Sequence, residues 1–439
     1  MKKRRILAAL LSAAMVLSLA GCTKGGDDGA SSSAGAGNST SNKLTIWAWD
    51  DTFNVKAANI AKEYYAKINP DVQVNVVSMS QDDIVVKLNT AFESGNTSGL
   101  PNIVLIEDYR IQNYLQSYPD QLSDLSDVVD SSKFMDYKLK TMTKDGKIYG
   151  VPFDSGVACV FYRTDLIEQA GYKKEDMQDL TWQEFIEIGK KVKEKTGKAM
   201  LSLDPNDLGL IRMMMQSAGK WYVDEDGKAD IKDNAALKEA LTIYKQMQDA
   251  GITTTASGWD AGVAAVNSGK VASSVIGCWY ASSIKKAEDQ SGKWAIASFP
   301  RMSNVSKSVN ASNLGGASWY VLEKVDGKNT AKEFLKSTFA SNTELLDQLC
   351  KDVSLVSTYK EAANGANVSA ADQFFSGQAI YKDFAAWTEK IPAVNYGVAT
   401  YDVEKKMTEA LQNVLKGTAV TDALNKVHTE VEGILSAVG

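Results

Sequence analysis

Strand and helix patterns that alternate along the chain predict an α/β protein whose sheets are largely parallel and covered on both faces. Leu44–Trp49 (LTIWAW) reads as a buried strand, and Phe53–Lys67 as the helix that follows it. Val72–Met79 alternates apolar and polar residues as a half-buried strand does, and Asp82–Glu93 sets Ile84, Val85, Leu88 and Phe92 at helical spacing. Ile103–Ile106 and Tyr109–Ser117 give the next strand and helix.

The region 157–299 repeats this alphabet. VACVFYR is a strand, Trp182–Lys195 a long amphipathic helix, and AMLSLD a second strand. A Met-rich helix carrying Met213–Met215 follows, its methionines suited to filling a core. VASSVIGC and KWAIASF are the last two strands of the region. Asp224–Gly227 (DEDG) misses the EF-hand spacing and reads as a turn.

Composition removes several function classes. A hydrophobic content of 44% and a charged content of 23% suit a globular protein, and 439 residues allow more than one domain. A net charge of −6 argues against nucleic-acid binding, which needs a basic stripe to neutralise phosphates. One histidine, His428, leaves no His-based triad and no metal-ligand cluster, so no metal is expected. There is no G-x-S-x-G, H-E-x-x-H or P-loop, and no cofactor is expected. The four cysteines form no CxxC pair, and Cys159 and Cys278 sit in apolar strand-like runs as free buried thiols.

The N-terminus is more specific. Lys2, Lys3, Arg4 and Arg5 precede an apolar stretch, Ile6–Leu19, too short to span a bilayer as a permanent helix. Residues 1–21 read as a signal peptide. Its end, Leu19-Ala20-Gly21-Cys22, resembles the bacterial lipobox, which implies cleavage before Cys22 and lipid on that residue. Residues 22–42 then form a Gly/Ser-rich tether with a reach on the order of 25 Å. The chain is expected to be lipid-anchored at the extracytoplasmic face of a bacterial cell membrane, not to span it.

Further motifs lie in LTIWAWDDTFN, SGLPNIVLIEDYR, GKIYGVPFDSGVACVFYRTDLIEQAG, TWQEFIEIGKKV, SGKVASSVIGCWYASSI and NASNLGGASWYVL. In this order and spacing, Lys43–Gly439 resembles the extracellular solute-binding proteins of bacterial ABC importers, specifically the sugar-binding group that includes the maltodextrin-binding proteins. The resemblance implies a two-lobed periplasmic-binding-protein-like α/β fold (type II) with a ligand cleft between the lobes. It places crossovers near Asp154–Val157, Asn304–Asn310 and Val353–Ser357. The N-terminal lobe then comprises residues 43–154 and about 311–355, and the C-terminal lobe 157–304 and about 358–439. The implied activity is capture of a sugar, an oligosaccharide by preference, and delivery by a monomer to the importer's transmembrane subunits.

Residue chemistry points the same way. A sugar ring has apolar faces and a rim of hydroxyls, so its site needs flat aromatic surfaces and fixed polar groups. In open α/β sheets ligands bind beyond the carboxyl ends of strands. Trp49, Asp50 and Asp51 lie past the first strand, and Glu107, Asp108, Tyr109 and Arg110 past the third. Asp204 and Asn206 follow AMLSL, and Trp279 follows VASSVIG. Trp279 matches the family's Gly-x-Trp, whose tryptophan stacks on sugar; Asp204-Pro205 matches an acidic-Pro pair that touches sugar, with Asn206 where the family has an aromatic. Arg110 matches a ligand arginine, although Tyr109 replaces the acidic residue before it. Asp154 at a crossover and Asn313 beside Gly315 and Gly316 are further candidates. Trp259 and Tyr396 fit ligand contact and packing equally, whereas Trp47, Trp182, Trp221, Trp294 and Trp387 are expected to pack in the interior. The rival reading is a glycoside-active surface enzyme using a carboxylate pair such as Asp50 with Asp204. No environment in the sequence is built to raise a catalytic acid's pKa, so a binding protein is expected and not an enzyme.

Overall fold

The computed structural model describes residues 40–438. The signal segment, Cys22 and residues 23–39 of the tether lie outside the described residues.

The first lobe begins with three parallel strands, Lys43–Ala48 (β1), Gln73–Ser78 (β2) and Ile103–Glu107 (β3), joined through Asn54–Ala66 (α1) and Gln81–Ser94 (α2). The side chain of Ser80 caps α2 by accepting the Asp83 N–H, and Gly95 ends it in a left-handed conformation. Asp108–Ser117 (α3), Asp136–Met142 (α4) and the short strand Gly150–Pro152 (β4) follow.

The chain then enters a second lobe as Ala158–Arg163 (β5). Trp182–Thr196 (α5) opens with a capping box between Thr181 and Glu184 and buries Trp182, Phe185, Ile186, Ile188 and Val192 on one face. Leu201–Leu203 (β6), Gly209–Ser217 (α6), Ala235–Asp249 (α7), Thr253–Thr255 (β7), Trp259–Asn267 (α8), Ser273–Gly277 (β8) and Trp294–Ser298 (β9) continue it. The return strand Ala317–Val321 (β10) completes the first sheet in the order β2-β1-β3-β10-β4. Lys328–Ser337 (α9) and Thr343–Val353 (α10) pack on that sheet, and Thr400–Leu415 (α11) and Val420–Val438 (α12) on the second lobe.

Both sheets are buried on both faces by strict alternation. In β3, Ile103 and Leu105 enter one apolar cluster while Val104 and Ile106 enter another. In β5, Val160 and Tyr162 face one cluster, Cys159 and Phe161 the other. Trp47 packs with Ile84 and Leu88 in the interior, as expected. The thiols of Cys159 and Cys278 are free and buried.

The expectation of largely parallel sheets fails in the second lobe. Its main sheet, β8-β5-β9, is antiparallel throughout, and β10 runs antiparallel to β3. The cause is the crossover geometry. β3 and β8 bring the chain to the cleft, where Glu107 pairs with Ala317 and Gly277 with Ala158. Strands β5 and β10 start there and carry it away, so they oppose their neighbours.

Three chain segments meet between the lobes. Asp154 bridges Ser357 and Val157 bridges Asn313. A Cβ on Gly156 would fall 2.0 Å from the Leu314 carbonyl oxygen, so only glycine permits this close passage. The crossover expected at Asn304–Asn310 falls later. Val305 packs on the second-lobe interior, the Val309 N–H donates to the Ser217 carbonyl, and Ala158 N–H donates to Ser312 O. The chain leaves the second lobe only at Asn313–Gly316.

Candidate functional site: a cleft lined from both lobes

The strand ends open onto a cavity of about 530 Å³ between the sheets. Trp49, Asp50, Glu107, Asp154 and Trp279, expected from strand-end positions or a crossover, line it together with Trp259, for which the sequence fits ligand contact and packing equally. Phe53, Phe153, Gln81, Ser282, Lys286, Asp352 and Ser354 complete the wall. These last were not singled out from sequence. Lys286 and Asp352 are single polar residues near helix ends, and nothing in their local pattern separates them from ordinary surface.

The turn after β1 is locked by side chains. Asn54 Oδ1 accepts the N–H groups of Trp49 and Asp50, and Asp50 Oδ1 accepts the Thr52 N–H at 2.8 Å, the Thr52 hydroxyl at 2.7 Å and the Phe53 N–H at 3.1 Å. This fixes Trp49 and Asp50 at the cavity rim. Trp279 sits in the turn after β8, its indole Nε1 donating to the Leu314 carbonyl at 3.0 Å. A Cβ on Gly277 would lie 2.4 Å from that Nε1, so the glycine makes room for the ring. Trp259 opens α8, is 53% exposed and tilts at 40° to Trp279 with ring centroids 5.7 Å apart. A large exposed indole beside a second indole is the aromatic platform a sugar face requires.

Beneath the cavity lies a buried ion pair. Lys138 Nζ donates to Asp108 Oδ2 at 2.6 Å, to the Asp154 carbonyl at 2.7 Å and to the Ala317 carbonyl at 2.9 Å. Asp108 is therefore a structural partner of Lys138 and does not reach the ligand space. Burial pushes its carboxyl up to about 6 against the pull of Lys138. Burial likewise raises the Asp154 carboxyl, whose Oδ1 accepts the Ala317 N–H at 2.7 Å while the side chain edges the cavity.

Other candidates lie elsewhere. Asp51 is exposed and outside the cavity wall. Asp204 lines an adjoining 220 Å³ hollow of the second lobe that shares Trp259 with the cavity, its carboxylate accepting the N–H groups of Asn206 and Gly258. Asn206 faces outward, accepting from Gln412. Asn313 is buried in the crossover, accepting the Gly156 N–H and donating to the Gly315 carbonyl. Tyr396 is buried in the second lobe and donates to Gln216. Arg110 leaves the cavity to lie over the Tyr401 ring at 4.5 Å. For Asp204 and Asn313 the neighbouring turn or crossover already satisfies the polar group. Asp224 Oδ1 accepts the N–H groups of Asp226 and Lys228, which makes DEDG the turn expected. A shallower groove of about 930 Å³ between α5 and α7 lies along helix flanks and includes none of the candidate residues.

Two sheets joined by three crossovers, with a cavity walled from both, define a two-lobed binding protein. The chain belongs to the bacterial extracellular solute-binding proteins, whose family model matches residues 59–376. It is 43% identical over 431 residues to a lactose-binding protein of Rhizobium radiobacter, covering 98% of each chain. An arabinooligosaccharide-binding protein of Bacillus subtilis (strain 168) is 26% identical over 352 residues, 78% of this chain and 77% of that one. Among solved structures, the galacto-N-biose-/lacto-N-biose I-binding protein of the ABC transporter from Bifidobacterium longum superposes with a TM-score of 0.73 at 22% identity, covering 94% of this chain and 99% of that one. The last match speaks for the fold.

Proposed function

We propose that this chain captures a neutral galactose-containing disaccharide or short oligosaccharide of the lactose kind and passes it to the membrane subunits of an ABC importer. The observation that carries the reading is the cavity itself. Indoles of both lobes and carboxylates of the first lobe face one space of about 530 Å³, within the range of small-ligand sites. The 43% identity to a lactose-binding protein over nearly the whole chain selects the class of sugar. Residues 43–154 and about 317–353 form the first lobe, and the crossovers at 154–157, 313–316 and 354–357 act as the hinge. Sugar touching both lobes makes contacts found only in the closed form and so shifts the population towards it.

The carboxylate pair named for the glycosidase alternative does not share the cavity. Asp50 lines the cavity, whereas Asp204 is held in a turn outside it. Calorimetric titration with galactose, lactose and a galactosyl-lactose trisaccharide, beside a product assay, tests the reading. Affinity should rise from mono- to disaccharide and then level off, with the sugars recovered intact. Tighter binding of the monosaccharide would remove the extended cleft, and cleavage would replace binding by catalysis.

No helix among the described residues is long and apolar enough to cross a membrane. We assign membrane attachment to lipid on Cys22, supported by the lipobox-like Leu19–Cys22. Cys22→Ser should yield a folded protein that leaves the detergent phase on partitioning; continued membrane association would refute the anchor.

A further inference from the structure

The geometry points to Tyr401 as the residue that positions Glu107 for ligand across the lobe boundary, so that cavity occupancy and lobe closure act through one carboxylate. This deepens the sugar-binding reading and rests on it. Glu107 ends β3 in the first lobe and lines the cavity. Its Oε2 faces away, accepting the Tyr401 hydroxyl at 2.6 Å and lying 3.4 Å from Arg110 Nε. Tyr401 belongs to α11 and packs on the second-lobe interior. The Arg110 guanidinium stacks on the Tyr401 ring at 4.5 Å, so Glu107, Arg110 and Tyr401 close a triangle that spans both lobes.

A second stack of opposite direction stands beside it. Tyr109 of the first lobe is buried among Trp221 and Tyr396 of the second, and Arg212 of α6 lies 5.1 Å over its ring. The Gly315 N–H donates to the Tyr109 hydroxyl at 3.0 Å, tying this contact to the crossover. Each lobe thus gives one tyrosine and one arginine to the other. Burial holds the Tyr401 phenol far above its ordinary pKa, which keeps its hydroxyl protonated and donating. With Oε2 committed to Tyr401 and Arg110, the carboxylate has Oε1 left to accept a sugar hydroxyl. When the lobes part, the Tyr401 bond is lost and Glu107 loses its fixed orientation.

Tyr401→Phe removes the hydroxyl and keeps the ring for Arg110. Titration of lactose into Tyr401→Phe, Glu107→Ala and the double variant, with apo unfolding midpoints for each, forms a double-mutant cycle. The expected result is at least a tenfold loss of affinity for Tyr401→Phe, an unchanged midpoint, and no further loss when the same change is made in Glu107→Ala. Wild-type affinity in Tyr401→Phe, or an equal loss with and without Glu107, would overturn the positioning role. A midpoint that falls together with affinity would make Tyr401 a packing residue only. Failure of the unsubstituted chain to bind any sugar would instead remove the proposed function, and this inference with it.

Discussion

Replacing Lys138 by methionine should destabilise the protein by about 3–5 kcal/mol, because it leaves a buried carboxylate without its cation. Lys138 is fully buried and gives Nζ to Asp108 and to the carbonyls of Asp154 and Ala317, so it joins α4 to two of the segments that meet at the cleft. The loss should depend on pH in a definite direction. Folded Asp108, pushed up to about 6, keeps a proton that the unfolded chain has already released. Between the ordinary carboxylate range and about 6 the native state therefore binds more protons, and this group's contribution to stability falls as pH rises. Without Lys138 no cation offsets the burial, and only the Ser318 hydroxyl, 3.3 Å from Oδ1, still donates to the Asp108 carboxylate. The deficit of Lys138→Met, measured by denaturant unfolding, should be larger at about pH 8 than at about pH 5. Asp108→Asn in the same chain should recover part of it. An unchanged unfolding midpoint would show that the pair does not hold this junction.

Trp279→Ala should weaken sugar binding more than tenfold, about 1.4 kcal/mol or more, with a modest change in the apo midpoint. The ring is only half-buried, and its one polar bond goes to Leu314 O at the cleft, so the folded core loses little when it is removed. A fully interior tryptophan such as Trp182 or Trp294 would cost roughly 3–5 kcal/mol on truncation. Gly277→Ala supplies an independent check. Its new methyl meets Trp279 Nε1 and must turn the ring, so affinity should fall with the tryptophan still present. A large loss of apo stability in Trp279→Ala would assign the ring to the interior.

Strand periodicity and the strand-end rule located the cavity. Trp49, Asp50, Glu107 and Trp279 follow β1, β3 and β8 and meet where such ends should meet. The rule loses resolution one residue further on. Glu107 faces the cavity, but α3 begins at Asp108, and the helical turn sends Asp108, Tyr109 and Arg110 in three directions. Asp108 goes under the sheet to Lys138, Tyr109 into the second lobe, and Arg110 onto Tyr401. Lys138 itself was invisible, since in DYKLKTM one lysine is buried and the other reaches Glu225, and composition cannot tell them apart. The antiparallel course of β5 and β10 was hidden for a related reason. Strand order follows from where the chain crosses between lobes, and periodicity within a strand carries no record of direction.

The central claim is that sugar is held between the lobes by groups of both. The structure of the protein crystallised with lactose tests it most directly. One sugar ring should lie against Trp279, with hydroxyls donating to Asp50 or Glu107 of the first lobe, inside the cavity that Trp49 and Trp259 flank. Lactose seated in the groove between α5 and α7, or held by residues of one lobe alone, would contradict the account.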